Sequence, residues 1–340
     1  MGFAAETNYV CPAPLQEKEF VMKRRPHRIL VSALLLGGIS VLAIGAKYCF
    51  DMRLAYERVR GSGTLIQSPY GDIEYTEGGS GPDVLVIHGS GGGYDQGEIV
   101  VEAALDGSFH WISPSRFGYL RSTFEEGATF DDQARAYAYL LDHLEIKTVA
   151  VVAISHGGPS ALLFAVLYPE RVSSLSLISC GVAPSSDANQ TQANERGSLL
   201  MNIFQYDIAY WALTGVLEER FMELMGANEG VVASLDADQK LLAEHLIDYM
   251  NPVSLRATGA RFDNGATMPG ERIRAVRAPT LILHAIDDTL QLYHNAEFAA
   301  SRIPNARLVR FERGGHLLFA VERPIIAKLV QEHIRNNARP

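Results

Sequence analysis

Cysteine is scarce: Cys11, Cys49 and Cys180 are the only three in 340 residues. Three scattered thiols cannot build a disulfide framework or a cysteine-rich metal site. An excess of positive charge is missing as well. Thirty Lys and Arg against thirty-nine Asp and Glu leave a formal net charge of −9, so the basic footprint of a nucleic-acid binder is absent. The chain carries no internal repeat and no low-complexity tract, which argues against a solenoid or a linker-like protein. Apolar residues make up 47% and charged residues 20%, near the globular average, so wholesale disorder is disfavoured. The length by itself corresponds to about two domains.

The first fifty residues do not read as part of a soluble domain. Residues 1–28 are a polar tail with Pro12, Pro14 and Pro26, ending in the basic cluster Lys23, Arg24, Arg25 and Arg28. Ile29 to Ala46 then runs eighteen residues without a charge, and Tyr48, Cys49 and Phe50 extend it past Lys47. A run of ~20 apolar residues matches the thickness of a bilayer, so residues 29–50 are expected to form a membrane-spanning anchor. The rival is a cleaved signal peptide, whose apolar region is normally shorter, ~7–15 residues. The cluster before the run favours a cytoplasmic N-terminus and the remainder of the chain on the far side. Lys47, Arg53, Arg58 and Arg60 follow the run and weaken that bias.

After Gly61 the pattern alternates between strands and helices. Asp72–Thr76, Asp83–Ile87, His110–Ser113, Lys147–Ile154, Val172–Ser179, Pro279–His284 and Ala306–Phe311 are short runs of strand character. Thr129–Ile146 reads as a helix, opened by a Thr129/Asp132 capping pair with Tyr137, Leu140, Leu141 and Leu144 at helical spacing. Gly158–Tyr168 and Arg323–Asn336 read as further helices. This order implies an α/β domain with a mostly parallel sheet. Between Ala183 and Arg272 no strand-like run occurs. Helices are expected over Leu199–Leu217, Glu218–Met225 and Asp236–Met250, rich in bulky side chains such as Phe204, Tyr206, Tyr210, Trp211, Phe221, Met222 and Met225. Such a block reads as a cap (183–272) set between two parts of a core (61–182 and 273–340).

The residues with chemical potential fall at strand ends. Ala153-Ile154-Ser155-His156-Gly157 sits between a strand and a helix, where a nucleophile stands on a strained turn flanked by small residues. The backbone N–H of His156 then lies at a helix N-terminus and can stabilise an oxyanion. His88-Gly89-Ser90-Gly91-Gly92-Gly93 follows the run DVLVI, and the N–H of Gly89 or Ser90 is the candidate second donor. A phosphate loop is disfavoured because the Lys-Ser/Thr pair that completes one is missing. His88 itself reads as a loop staple rather than a base. Near the C-terminus, His284-Ala285-Ile286-Asp287-Asp288 and Gly314-Gly315-His316 follow successive strands. A serine nucleophile needs a base, and the base needs a carboxylate. Ser155, Asp288 and His316 occur in the chain order of one of three unrelated triad arrangements.

The segments HGSGGG, AISHGG, HAIDD and RGGHLLF together resemble the α/β-hydrolase superfamily, in its serine-nucleophile branch with a helical cap, over residues 61–340. The resemblance implies an eight-stranded, mostly parallel sheet, a cap inserted after the sixth strand, and no metal or cofactor. It implies Ser155 as nucleophile, His316 as base, and Asp288 as acid through the H-G-x-x-D spacing from His284, with Ala285 in place of glycine and Asp287 as the fallback. Ser115-Arg116-Phe117-Gly118-Tyr119-Leu120-Arg121-Ser122 resembles the family's D-x-x-G-x-G-x-S loop, with Ser115 for Asp and Leu120 for Gly. Arg116 is therefore expected to structure that loop or to touch a charged substrate.

Serine at the elbow argues against dehalogenase and epoxide hydrolase chemistry, which in related families use aspartate there. The expectation is a membrane-anchored serine esterase acting on a small or acyl ester, with carbon–carbon bond hydrolysis or perhydrolysis as alternatives on the same fold. From another class, the fold serves as a ligand receptor with little turnover. The partner is a small molecule and not a nucleic acid, and the membrane is reached through the N-terminal helix. The cap is expected to roof an acyl pocket, with Tyr210 and Trp211, beside Arg116, as substrate contacts.

Overall fold

The computed structural model describes Met1, residues 25–184 and residues 202–338. The polar tail up to Arg24, with Lys23 of the basic cluster, and the first residues of the expected helix Leu199–Leu217 lie outside the described residues. Helix α1 (Arg25–Val59) contains the apolar run. From Leu30 on it is the one helix, among the described residues, long and apolar enough to cross a membrane, with a mean hydropathy of 2.0. By internal contacts the chain forms two units, Met1–Phe50 and Asp51–Pro340. The last two turns of α1 therefore belong to the second unit, where Met52, Ala55 and Val59 are buried. Their i, i+3, i+7 spacing makes one apolar face, whereas Leu34 and Leu42 of the first unit are 68% and 74% exposed.

The second unit is built on an eight-stranded sheet in the order β1-β2-β4-β3-β5-β6-β7-β8. Strands β1 (Thr64–Ser68) and β2 (Gly71–Gly79) form a hairpin, and β2 runs antiparallel to β4 (His110–Pro114). The rest, β3 (Asp83–Ile87), β5 (Val149–Ile154), β6 (Val172–Ile178), β7 (Thr280–Ala285) and β8 (Ala306–Phe311), are parallel. The inner parallel strands β3, β5, β6 and β7 are covered on both faces and so are predominantly apolar; Val84 to Ile87 are all fully buried, whereas the edge strand β8 leaves Arg307 and Arg310 exposed. Helices α2 (Tyr94–Ala104), α3 (Phe130–His143) and α4 (Gly158–Leu167), with Arg323–Asn337, flank the sheet. Thr129 and Asp132 cap α3 reciprocally, as their spacing predicts. Strand β1 and the helices Tyr94–Ala104, Ala257–Gly265 and His294–Arg302 add to the elements the sequence pattern displays.

Between β6 and β7 the described residues hold five short α-helices, two 3₁₀ turns and no strand. Their apolar side chains do not form a separate core. Tyr210, Phe221, Val231 and Ile247 join one cluster with Val84, Leu281 and Ile326 from the sheet and its flanking helix. Phe262 crosses to the other cluster, against Phe117, Phe124 and Phe130.

Candidate active site

Parallel register sets the site. Ile87 pairs with Ala153 and Ile154 with Ile178, so the residues that follow β3, β5 and β6 emerge along one edge of the sheet. The carboxyl edge of such a sheet, where connections diverge, is where α/β folds place their ligands. Ser155 follows β5 directly and has φ of +49°. A non-glycine residue rarely adopts that conformation, and it aims the hydroxyl away from both strand and helix. Gly157 lets the turn close: a Cβ there would lie 2.7 Å from the Ile87 carbonyl oxygen. Gly89 lies equally close, since a Cβ at that position would stand 3.0 Å from Cβ of Ser155.

Three side chains expected from the sequence converge. His316 Nε2 is 3.0 Å from Ser155 Oγ, and its Nδ1 is 2.8 Å from Asp288 Oδ2. Asp288 is buried, and its Oδ1 accepts from the backbone N–H groups of Leu290 and Gln291 at 2.9 and 2.8 Å. An ionised carboxylate so placed favours the proton on Nδ1 of His316 and leaves Nε2 to accept from the serine hydroxyl. The neighbouring Asp287 does something else. It accepts from the N–H of Gly315 at 2.8 Å and from the side-chain amide of Asn228 at 2.8 Å. It braces the loop before His316 and does not touch the imidazole itself. His284 is buried next to Asp288, 3.6 Å away, and donates from Nε2 to the carbonyl of Gln291 at 2.6 Å. Burial holds its pKa below the ordinary histidine value, against the pull of Asp288, so it is a neutral backing group.

The inserted helices contribute in ways the sequence does not display. The carbonyl of Gly226 accepts from the N–H of His316 at 3.0 Å and from that of Thr289 at 3.4 Å, tying the two loops that carry base and acid to each other. Asp263 forms a two-pronged pair with Arg116, at 2.5 and 2.7 Å, and accepts from the Tyr119 hydroxyl. Arg116 in turn donates from its backbone N–H to His88 Nε2 and from Nε to the His88 carbonyl, both at 3.0 Å. Tyr119 stands 3.2 Å from the Ser90 hydroxyl and accepts from the N–H of Gly91. The Arg116–Asp263–Tyr119 cluster thus holds the glycine-rich loop from beneath. Burial opposes the charge of Arg116, but Asp263 outweighs it and raises its pKa. Burial first, then Arg116, pushes the pKa of His88 well down, and its Nδ1 donates to the Gly89 carbonyl at 2.7 Å.

A cavity of about 120 Å³ opens at Ser155. Its sheet side is Gly89, Ser90, Ile154, His156, Ile178 and Ser179, and its roof includes Phe204, Met225, Leu246, Ile247 and Met250. Of the three expected substrate contacts, none lines it. Tyr210 is fully buried between Phe204 and Phe221 and donates its hydroxyl to the Ile247 carbonyl. Trp211 donates its indole N–H to Asp51 at 2.8 Å, and Arg116 is spent on Asp263 and His88. Composition alone pointed to aromatic bulk in the insert, but not to which face of each helix meets the sheet edge. Tyr206 is exposed, Phe221 is packed internally, and Met225 and Phe204 reach the cavity. Among the described residues no group of three or more His, Cys, Asp or Glu side chains is arranged to hold a metal ion.

Known proteins share this fold. The family model for the alpha/beta hydrolase fold matches residues 82–322. An uncharacterized hydrolase of Bacillus subtilis (strain 168), YcgS, is 30% identical over 259 residues, covering 73% of this chain and 89% of that protein. A 2-hydroxy-6-oxononadienedioate/2-hydroxy-6-oxononatrienedioate hydrolase of Burkholderia vietnamiensis (strain G4 / LMG 22486) is 28% identical over 264 residues, covering 72% and 84%. Among solved structures, a thermophilic esterase from Thermogutta terrifontis superimposes with a TM-score of 0.64 at 20% identity, covering 82% of this chain and all of that one. The matched span, the eight-stranded sheet and the strand-end residues lead to one conclusion: the chain belongs to the α/β-hydrolase fold family.

Proposed function

We propose that this chain is a serine hydrolase that cleaves a small acyl ester through an acyl-enzyme, held at a membrane by α1. The observation that carries the reading is the Ser155–His316–Asp288 relay at the mouth of a largely apolar cavity. Ser155 Oγ attacks the ester carbonyl carbon and its proton passes to His316 Nε2. Asp288 holds the imidazolium through Nδ1–H. The N–H groups of His156 and of Gly89 or Ser90 stabilise the oxyanion as it forms. His316 then gives its proton to the departing alcohol oxygen, and the C–O bond breaks. Water repeats the sequence with His316 as base, which releases the acid and restores the serine.

The cavity is comparable with the ~150 Å³ apolar cavity that takes up benzene, so it suits an acyl group of a few carbons. Carbon–carbon bond hydrolysis is the second reading, because relatives such as the Burkholderia protein are named for it. The substrate in that name is a dioate and carries two carboxylates. Among the described residues no lysine or arginine lines the cavity. A dianion buried there would lose its hydration without a counter-charge, which disfavours it strongly. Fluorophosphonate labelling of the wild type and of Ser155→Ala, with turnover of C2 to C8 p-nitrophenyl esters against a ring-fission dienoate, tests both readings. Label on the wild type alone and ester turnover support the first. Dienoate turnover far above every ester replaces it with the second.

Membrane attachment rests on the uncharged run of α1 and its outward-facing leucines. Twenty helical residues span about 30 Å. The Lys23–Arg28 cluster supports an N-terminus in the cytoplasm and the catalytic unit on the opposite side, against the weaker pull of Lys47, Arg53, Arg58 and Arg60. Carbonate-resistant membrane association with an intact N-terminus is expected. Release by carbonate, or a mature N-terminus beyond Ala46, overturns the anchor. A C-terminal reporter active only in the cytoplasm overturns the orientation alone.

A further inference from the structure

We propose that the membrane-proximal end of α1 is a positioning element of the catalytic site, in which Arg58 acts through Asp95 and Arg256 on the glycine-rich oxyanion loop. This rests on the serine hydrolase reading above and extends it to residues outside the relay. Asp95 opens helix α2, directly after that loop, and is 1% exposed. Two guanidinium groups meet it. Arg256, fully buried, donates to both carboxylate oxygens at 3.0 and 2.7 Å. Arg58, from the last turn of α1, donates from Nε at 3.3 Å. Arg256 also donates to the Gly92 carbonyl at 2.6 Å, and the N–H of Gly92 donates to the Gly89 carbonyl at 3.3 Å. A continuous polar chain therefore runs from Arg58 to Gly89, the residue beside Ser155.

The same helix end is fastened elsewhere. Arg58 donates to the carbonyls of Tyr249 and Asn251, and its guanidinium lies 4.0 Å from the Tyr249 ring centre. Tyr56 donates to Asp207 at 2.8 Å. These contacts fix Arg58 against the segment that leads into Met250 and Arg256. A simple tether would need none of them, since a flexible linker suffices to hold an enzyme near a bilayer. One carboxylate shared by two guanidiniums has its orientation set by both. Loss of Arg58 lets Asp95 and Arg256 relax together, and with them the Gly92 carbonyl. A donor displaced by a fraction of an ångström stabilises the oxyanion less well than the ester carbonyl it binds first, so kcat falls more than KM changes.

Arg58→Gln in the full-length, membrane-bound protein tests the proposal. Asp95 keeps its two-pronged pair with Arg256, so the fold is expected to survive. Active sites are counted by fluorophosphonate titration and turnover of p-nitrophenyl acetate is expressed per labelled site. We expect kcat per site to fall about tenfold with KM nearly constant, a part of the ~10²–10³ lost when an oxyanion donor is removed outright. Arg58→Lys, which keeps a cation against Asp95, should recover most of the loss. Arg53→Gln, at an exposed pair with Glu57 on the same helix, should leave turnover unchanged. A purely structural role would lower the melting temperature or the number of labelled sites and leave kcat per site alone, and that result overturns the proposal. So does an equal loss in Arg53→Gln. A wild-type protein that takes no label overturns the nucleophile reading itself, an outcome distinct from normal labelling with unaltered turnover in Arg58→Gln.

Discussion

The sheet edge and the inserted helices hold the candidate site by different means. At the sheet edge, position follows from register: paired parallel strands end together, and each reactive residue comes within a few positions of its strand end. In the insert, position rests on a few isolated polar ties, each made by one residue: the Gly226 carbonyl to His316, the Asn228 amide to Asp287, the Asp263 carboxylate to Arg116. A register is shared by many hydrogen bonds and survives the loss of one. An isolated tie has no such redundancy. Substitutions at the sheet edge should therefore remove chemistry while the fold persists, and substitutions in the insert should change stability or selectivity first.

The largest effect is expected at Ser155. Ser155→Ala should abolish fluorophosphonate labelling and lower kcat by about 10⁶, as loss of a triad serine does elsewhere, with the melting temperature within a few degrees of wild type. Retained labelling would sink the assignment. The next contrast separates adjacent carboxylates. Asp288→Asn should cost about 10⁴ in kcat, because an amide favours the wrong imidazole tautomer. Asp287→Asn should be far milder, since it changes a brace to Gly315 and Asn228. The reverse ranking in steady-state kinetics would shift the acid by one residue.

That pair also marks how far the sequence could be read. Strand β3 falls on the run DVLVI without a shift, because a strand buried on both faces is an apolar run with clear ends; the edge strand β8 falls on ARLVRF, where exposed Arg307 and Arg310 interrupt the apolar residues. The helix at Thr129 is legible because its cap is local, contained in four residues. The helix Ala257–Gly265 is not. Its sequence ATGARFDNG has two glycines and weak helix formers, and it is held by Phe262 in the core and Asp263 on Arg116, contacts more than 100 residues away in sequence. The same limit applies to the site. Motif spacing brings Ser155, Asp288 and His316 to successive strand ends, but the facing of Tyr210 and Trp211 depends on how their helix packs. Strand β1 is short, and three of its five residues are exposed, so its pattern is too weak to stand out.

Intermediate effects are expected where the insert meets the oxyanion loop. Arg116→Met leaves Asp263 buried without its counter-charge, which should cost about 3–5 kcal/mol in denaturant unfolding. If that variant unfolds like wild type, the insert is not tied to the loop as described. The same neighbourhood predicts an acid-side loss. The folded pKa of His88 lies well below its unfolded value, so the unfolded chain binds the proton more readily. The stability it contributes is complete above about pH 6.5, the unfolded value, and declines as pH falls from there toward the folded pKa. A His88→Gln variant should show a flatter stability profile below pH 6.5. An unchanged slope would remove His88 as a source.

The smallest effect concerns selectivity, and it separates residues that line the cavity from residues that hold its roof. Leu246 and Met225 line it and are only half-buried, so their truncation should perturb folding little. An acyl chain that fills the cavity loses contacts with them, at about 0.8 kcal/mol per CH₂ equivalent, a factor of roughly 4. An acetyl group reaches less far and loses less. In Leu246→Ala and Met225→Ala the ratio of kcat/KM for butyryl over acetyl esters should therefore fall about fourfold at nearly constant melting temperature. Tyr210→Phe removes the bond to the Ile247 carbonyl and should cost about 1 kcal/mol of stability while leaving the ratio alone. Trp211→Phe, which breaks the tie to Asp51, should behave in the same way. If the ratio moves in the Tyr210 and Trp211 variants and not in the Leu246 and Met225 variants, the cavity at Ser155 is not where the acyl chain binds. Selectivity would then have to come through the outer helices of the insert.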